Sequence, residues 1–207
     1  MSSSTPHSPL LTHQFTAAIT AGGRSRRFGS DKALHALEGK TLLERVAQSL
    51  AFAPHRLLIA PEGKYALEGW RSAPDLRPGC GPLSGLETAL ERAGTEWVAF
   101  AAVDMPWLER GVWEVLRERL RTDGGAHGHA PLQAVVPLDA RGRKQPLAAL
   151  YSRSSLAVVR RFLEGQDHKM LHLLGALEVH FVEWEAFSGA GLSERTFDNV
   201  NSLSDLE

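Results

Sequence analysis

The sequence predicts an α/β fold: a mostly parallel, mixed β-sheet with helices on both faces, three layers in all. Three observations predict it. Short apolar runs alternate with amphipathic helical stretches along the chain, the pattern of a sheet built from strand–helix–strand units. Residues 97–103, Trp-Val-Ala-Phe-Ala-Ala-Val, are apolar throughout, as a central strand buried on both faces requires. The first apolar run, residues 15–19, empties into a loop rich in glycine and arginine, and that edge is where such sheets bind phosphates.

Composition bounds the rest. The 207 residues make one domain over 14–207, preceded by a tail at 1–13 that is rich in Ser, Pro and His. That tail lacks the basic start and apolar centre of a secretory signal, and disorder is expected of it. A hydrophobic content of 43% suffices for a sizeable core. The net charge of −1 argues against a general nucleic-acid binder, so the positive charge of the first loop is local and suits a small anion. No run approaches the roughly eighteen apolar residues of a membrane helix. A single cysteine, Cys80, precludes an internal disulfide and fits a reducing compartment. A cytoplasmic protein without membrane segments is expected.

Taken in order, Leu42, Leu43, Val46, Leu50 and Phe52 recur at helical spacing, giving a helix over 41–52. Thr41 and Glu44 offer a capping box and Pro54 a stop. Residues 56–60 read as a buried strand and 70–74 as a short one delivering Asp75 to a loop. Gly79, Gly81 and Pro82 make a second tight loop before a helix over 86–93, where backbone N–H groups face a ligand. Val112, Val115, Leu116 and Leu120 mark the helix after the central strand, and 124–131 a Gly/His loop. Strands over 133–138 and 146–151 flank a polar hairpin and add antiparallel character. Helices over 153–163 and 168–174 and a strand over 177–182 complete the domain.

The organising stretch is Thr20-Ala21-Gly22-Gly23-Arg24-Ser25-Arg26-Arg27-Phe28-Gly29-Ser30-Asp31-Lys32-Ala33. It is neither a P-loop nor a dinucleotide fingerprint, because its glycines are adjacent and then six residues apart. Asp104 ends the central strand, and Met105-Pro106 bends the chain away from it. A carboxylate there either binds Mg²⁺ together with substrate phosphates or caps the next helix. Lys32 is the cation placed to act on a phosphate, unless it is a solvated surface lysine, and Asp31 beside it is expected to orient it. His168 and His172 have metal-ligand spacing on an expected helix but no third ligand. Cys80 has no nearby His, and the five tryptophans read as core or edge packing.

These residues resemble a known family. The loop over 21–33 looks like the signature of nucleotidyltransferases of the nucleoside-diphospho-sugar transferase fold, a three-layer Rossmann-like sandwich. Its Asp31-Lys32 ending points to molybdenum cofactor guanylyltransferases, the MobA family. Gly81-Pro-Leu-Ser-Gly85, Val103-Asp-Met-Pro106, Gln145-Pro-Leu-Ala-Ala-Leu-Tyr151 and Asn199-Val-Asn-Ser-Leu-Ser-Asp-Leu206 agree in order and spacing. The resemblance implies that Thr20, Ala21, Gly22, Gly23, Arg24, Lys32 and Gly81 contact GTP and that Asp75 helps hold the nucleoside. It implies that Asp104 binds Mg²⁺, and that Asn199 and Asn201 lie on the pterin side. Arg26 and Arg27 are assigned to the triphosphate or the departing pyrophosphate. Thr20 stands where the family usually has leucine, Phe28 where it has methionine, and Ala60-Pro61 where it often has an asparagine.

The implied reaction transfers GMP from GTP to the terminal phosphate of molybdopterin, with pyrophosphate leaving. Its substrates are small molecules, and transient contacts with other cofactor-biosynthesis proteins are compatible with it. Two rivals stand beside it: a relative that transfers CMP to molybdopterin or a sugar phosphate, and a non-catalytic protein that carries nucleotide or cofactor. The accessory reading predicts a missing metal carboxylate or loop lysine, and both are present.

Overall fold

The structure is a computed structural model describing residues 14–22, 31–123 and 131–206. The expected tail over 1–13 and residues 124–130 of the expected Gly/His loop over 124–131 lie outside the described residues. The elements run β1 (Phe15–Thr20), β2 (Ala36–Leu37), β3 (Lys40–Thr41), α1 (Leu42–Ser49), β4 (His55–Ile59) and β5 (Arg71–Ala73). They continue with α2 (Pro82–Arg92), β6 (Trp97–Ala102), α3 (Arg110–Asp123), β7 (Ala134–Pro137) and β8 (Ala148–Ser152). The last are α4 (Leu156–Glu164), α5 (Met170–Leu174), β9 (Val179–Val182) and α6 (Trp184–Gly189).

Seven strands form one sheet in the order β5-β4-β1-β6-β8-β7-β9. Among these strands β8 alone runs against its neighbours, so the sheet is the mostly parallel, mixed one expected. Side chains alternate across it with period two. Ala17, Ile19, Leu58, Ala99, Ala101 and Leu150 face one way, toward Leu43 and Val46 of α1, Val112, Trp113 and Leu116 of α3, and Phe187 of α6. Ala18, Leu57, Val98, Phe100, Ala149 and Tyr151 face the other, toward Leu83, Leu86 and Leu90 of α2, Val159 of α4 and Leu173 of α5. Three layers result from one alternation.

Local chemistry sets the element ends. Thr41 and Glu44 form the full capping box at α1, with Glu44 N donating to Thr41 Oγ1 at 3.1 Å and Thr41 N to Glu44 Oε2 at 2.7 Å. The helix stops at Ser49 rather than 52, because Leu50 and Ala53 tighten into three-residue turns. Helix α2 starts four residues before the expected 86, since Pro82 suits the first helical position, where no N–H is needed. The expected helix over 153–163 opens as a 3-10 turn, Arg153–Ser155, before α4. The β2–β3 ladder and α6 were not expected; both are too short to carry a periodicity.

Register places the chemistry. Thr20 of β1 pairs with Ile59 of β4 and Ala102 of β6, and Ile59 with Ala73 of β5. Four parallel strands therefore end at one level. Gly22, Asp75 and Asp104 each lie two residues past it, and Asp139 lies two past the end of β7. The chain leaves β1 toward β4 and β5, then returns to its other side as β6. The direction of winding switches between β1 and β6, and that crevice is where open α/β sheets take ligands.

Candidate active site

Beside the switch point, β1 delivers Thr20, Ala21 and Gly22. Ala21 N donates to Ile59 O at 2.9 Å and Val103 N to Thr20 O at 3.1 Å, which fixes the exit of β1 between its neighbours. A Cβ on Gly85 of α2 would stand 2.7 Å from Thr20 Oγ1, so only glycine lets α2 lie this close over the strand end. Gly81 caps α2 at φ +71, a conformation that needs glycine and leaves the first N–H groups without a side-chain cap. Gly23, Arg24, Arg26 and Arg27 lie outside the described residues.

Asp104 and Lys32 meet across this crevice. Lys32 Nζ lies 3.4 Å from Asp104 Oδ2, with side-chain exposures of 11% and 27%. The other carboxylate oxygen, Asp104 Oδ1, is buried without a hydrogen-bond partner. A buried unpaired carboxylate oxygen is rare in a native fold unless something binds it. Asp104 is not a helix cap: α3 begins six residues later, at Arg110. Its carbonyl instead accepts Val200 N at 2.8 Å.

Asp31 does not orient Lys32 directly. Its carboxylate accepts Ala33 N at 3.1 Å, Tyr65 Oη at 2.8 and 3.0 Å, and the Lys64 ammonium at 2.9 Å. Burial pushes the Asp31 carboxyl up, and these bonds outweigh it, leaving the group below the ordinary carboxylate value.

Asp75 sits on a loop stapled to α2. Leu76 N donates to Thr88 Oγ1 at 3.0 Å, Arg77 N to Ser84 Oγ at 3.2 Å, and Arg77 Nε to the buried Glu87 at 3.0 Å. The staple brings the Asp75 carboxylate against Gly22, where a Cβ would stand 3.2 Å from Oδ2. Asp75 Oδ1 is the second buried carboxylate oxygen without a partner. Burial raises the Asp75 pKa, and the Ser84 hydroxyl offsets this only in part.

On the far side of Asp104 opens a cleft of about 920 Å³ lined by Trp107, Arg141, Lys144, Arg195, Asn199 and Asn201, among others. Cations outnumber carboxylates along it. One buried carboxylate builds its hairpin wall: Asp139 accepts Arg141 N and Arg143 N, both at 2.9 Å, Arg143 Nε at 2.7 Å and Gln145 Nε2 at 2.9 Å. Burial raises the Asp139 carboxyl, and these donors more than reverse it. The C-terminal wall hangs on Val200, buried against Leu42, with Asn199 and Asn201 exposed to either side. Asp205 holds that wall by accepting Asn201 N and Ser202 N, which lowers its pKa. The Arg195 guanidinium lies 4.5 Å from the centre of the Trp107 ring.

Thr20, Ala21, Gly22, Lys32, Asp75 and Asp104 thus gather at one crevice, with Gly81 at the start of the helix above it, and Asn199 and Asn201 face the adjoining cleft. His168 and His172 do not form a metal pair: α5 starts at Met170, His168 precedes it, and His172 Nδ1 bonds Asp167 at 2.7 Å. Among the described residues no cluster of three His, Cys, Asp or Glu is set to hold a metal. None of their helices is long and apolar enough to cross a membrane. Trp107 is a cleft wall rather than packing alone. Sequence reasoning missed Tyr65, Asp139, Lys144 and Arg195; the cations of residues 141–144, read only as a polar hairpin, were the available signal.

Known proteins share this architecture. A model of the MobA-like NTP transferase domain matches residues 17–180. The probable molybdenum cofactor guanylyltransferase of Deinococcus radiodurans is 46% identical over 191 residues, covering 92% of this chain and 91% of that protein. The protein of the same description from Methanosarcina acetivorans is 32% identical over 222 residues, covering 100% and 95%. The crystal structure of molybdopterin-guanine dinucleotide biosynthesis protein A from Archaeoglobus fulgidus superposes with a TM-score of 0.75 at 26% identity, covering 92% of this chain and 94% of that one. A match across most of the sheet, with relatives this similar along nearly their whole length, places the chain in the MobA-like NTP transferase family, nucleotidyltransferases of the nucleoside-diphospho-sugar transferase fold.

Proposed function

We propose that this chain transfers GMP from GTP to the terminal phosphate of molybdopterin, releasing pyrophosphate and forming molybdopterin guanine dinucleotide. One observation carries the reading: Asp104 joins two compartments. Its side chain faces Lys32 in the crevice beside the glycine loop, and its carbonyl holds Val200 between the two cleft asparagines. A two-substrate transfer needs such a joint. The guanine and molybdopterin identities rest on the names of the relatives.

In the reaction an oxygen of the acceptor phosphate forms a bond to the α-phosphorus of GTP. The bond from that phosphorus to the bridging oxygen breaks, and pyrophosphate leaves with the electron pair. The attacking oxygen is already anionic, so no general base is needed, and positioning with charge neutralisation carries the rate. Lys32 supplies a fixed cation at the crevice, the glycine loop with Arg24 and Asp75 hold the nucleotide, and Arg26 and Arg27 belong with the triphosphate or the departing pyrophosphate. The cations of the cleft draw in the anionic acceptor. Magnesium fits this donor set, because Asp104 presents a hard, unpartnered oxygen and Mg²⁺ is commonly held by one or two carboxylates plus phosphate oxygens. Bound by Asp104, the ion would neutralise phosphate charge.

The test incubates the protein with Mg²⁺, a molybdopterin source and each NTP separately, and follows pyrophosphate. Release with GTP alone is expected. Preference for CTP would sink the guanylyl assignment, and no release with any NTP would favour a non-catalytic carrier.

A further inference from the structure

Lys32 sits in a 3-10 turn of only three residues, Lys32–Leu34, too short to hold a long side chain in one direction by its own bonds. Its bond to Asp104 is long, at 3.4 Å. What fixes the turn comes from elsewhere in the chain. The residue before Lys32, Asp31, is clamped by Tyr65 and Lys64, more than thirty positions away on the turn that follows β4. The Tyr65 hydroxyl meets both carboxylate oxygens, and the residue is 8% exposed, set among core side chains. Lys64 closes the other side, its ammonium 2.9 Å from Asp31 and 4.9 Å from the centre of the Tyr65 ring. The same carboxylate caps the Lys32 turn through Ala33 N, and Ala33 is itself only 2% exposed. Turn, carboxylate and tyrosine thus form one rigid piece with Lys32 at its tip.

We infer that Tyr65 and Lys64 are positioning residues for Lys32, acting through Asp31 and setting where its ammonium meets the phosphates. The inference rests on the proposed reading that Lys32 faces nucleotide phosphate, but not on guanine or molybdopterin. A tyrosine that merely filled the core would matter equally with or without Lys32; a positioning tyrosine matters only with it.

A double-mutant cycle separates the two. Binding of inorganic tripolyphosphate in the presence of Mg²⁺ is measured by calorimetry for the wild type, Tyr65→Phe, Lys32→Ala and the double variant. Tyr65→Phe is expected to weaken binding by about fivefold in the wild-type background and by less than about twofold in the Lys32→Ala background, as coupled neighbours do. Lys64→Met is expected to follow the same pattern, with Lys64→Arg restoring most of the affinity. Equal losses in both backgrounds, or no loss in Tyr65→Phe and Lys64→Met, would overturn the inference. If wild-type protein binds tripolyphosphate but releases pyrophosphate from no NTP, the guanylyl reading fails and the cycle still decides the role of Tyr65. If it binds no tripolyphosphate yet releases pyrophosphate from GTP, the inference falls and the guanylyl reading stands.

Discussion

On the loop side of the rim, Asp75 and Asp104 each keep a buried carboxylate oxygen with no hydrogen-bond partner. On the cleft side, Asp139 and Asp205 commit theirs to the chain: Asp139 accepts four bonds from its own hairpin, and Asp205 accepts two backbone N–H groups of the C-terminal segment. Asp75, Asp104 and Asp139 each lie two residues past the end of a strand at the same sheet edge. A fold tolerates an unsatisfied buried anion only where something else completes it, whereas a satisfied one is scaffolding. The loop side is therefore built to receive positive charge and donors. The cleft side uses its carboxylates as scaffolding, and Arg141, Lys144 and Arg195 line a space where cations outnumber carboxylates.

Breaking each member in turn sharpens this contrast. Asp104→Asn should have the largest effect, lowering turnover by about 10³-fold, since it removes charge from the joint of the site. Circular dichroism should show the fold unchanged, and near-normal turnover would remove Asp104 from the proposed chemistry. Asp75→Asn should raise KM for GTP by about tenfold while leaving KM for the acceptor unchanged, as loss of one charged hydrogen bond to ligand does. Asp139→Asn should give the mirror image, with KM for the acceptor rising severalfold and GTP untouched. Lys144→Ala and Arg195→Ala should each weaken the acceptor by a smaller factor that shrinks with added salt, because exposed cations are screened.

The pH dependence divides the same way. The folded-state pKa of Asp139 lies below its unfolded value near 3.8, so its stabilisation is full above that value and is lost as pH falls through the folded one. The gap in Tm between wild type and Asp139→Asn should therefore narrow in acid. For Asp75 the folded-state pKa is raised above 3.8; its ionised form is penalised at neutral pH, and the penalty disappears in acid. Thermal melts from pH 7 to pH 3 check both.

Much of this was legible in the residues. The apolar run at 97–103 located the central strand, and with it Asp104 at its end. The Thr41–Glu44 pair located the start of α1. What was not legible depends on contacts across long sequence separations. Nothing near Asp31 says that Tyr65 holds it; its carboxylate bonds Ala33 N, Tyr65 and Lys64. The bond from Val200 N to Asp104 O likewise joins the C-terminal segment to the central strand through the fold alone. Asp139 was hidden in a polar hairpin because a buried, fully bonded carboxylate has the same sequence signature as a solvated one.

The division of the carboxylates is most directly tested by melting Asp75→Asn and Asp139→Asn beside the wild type at neutral pH without ligand. Neutralising Asp75 should raise Tm by about 2 °C, since it relieves an incompletely paired buried charge. Neutralising Asp139 should destabilise the fold by about 2 kcal/mol, since it leaves buried donors facing an amide. Shifts of opposite sign are the predicted result; two variants that both lose stability would contradict the account.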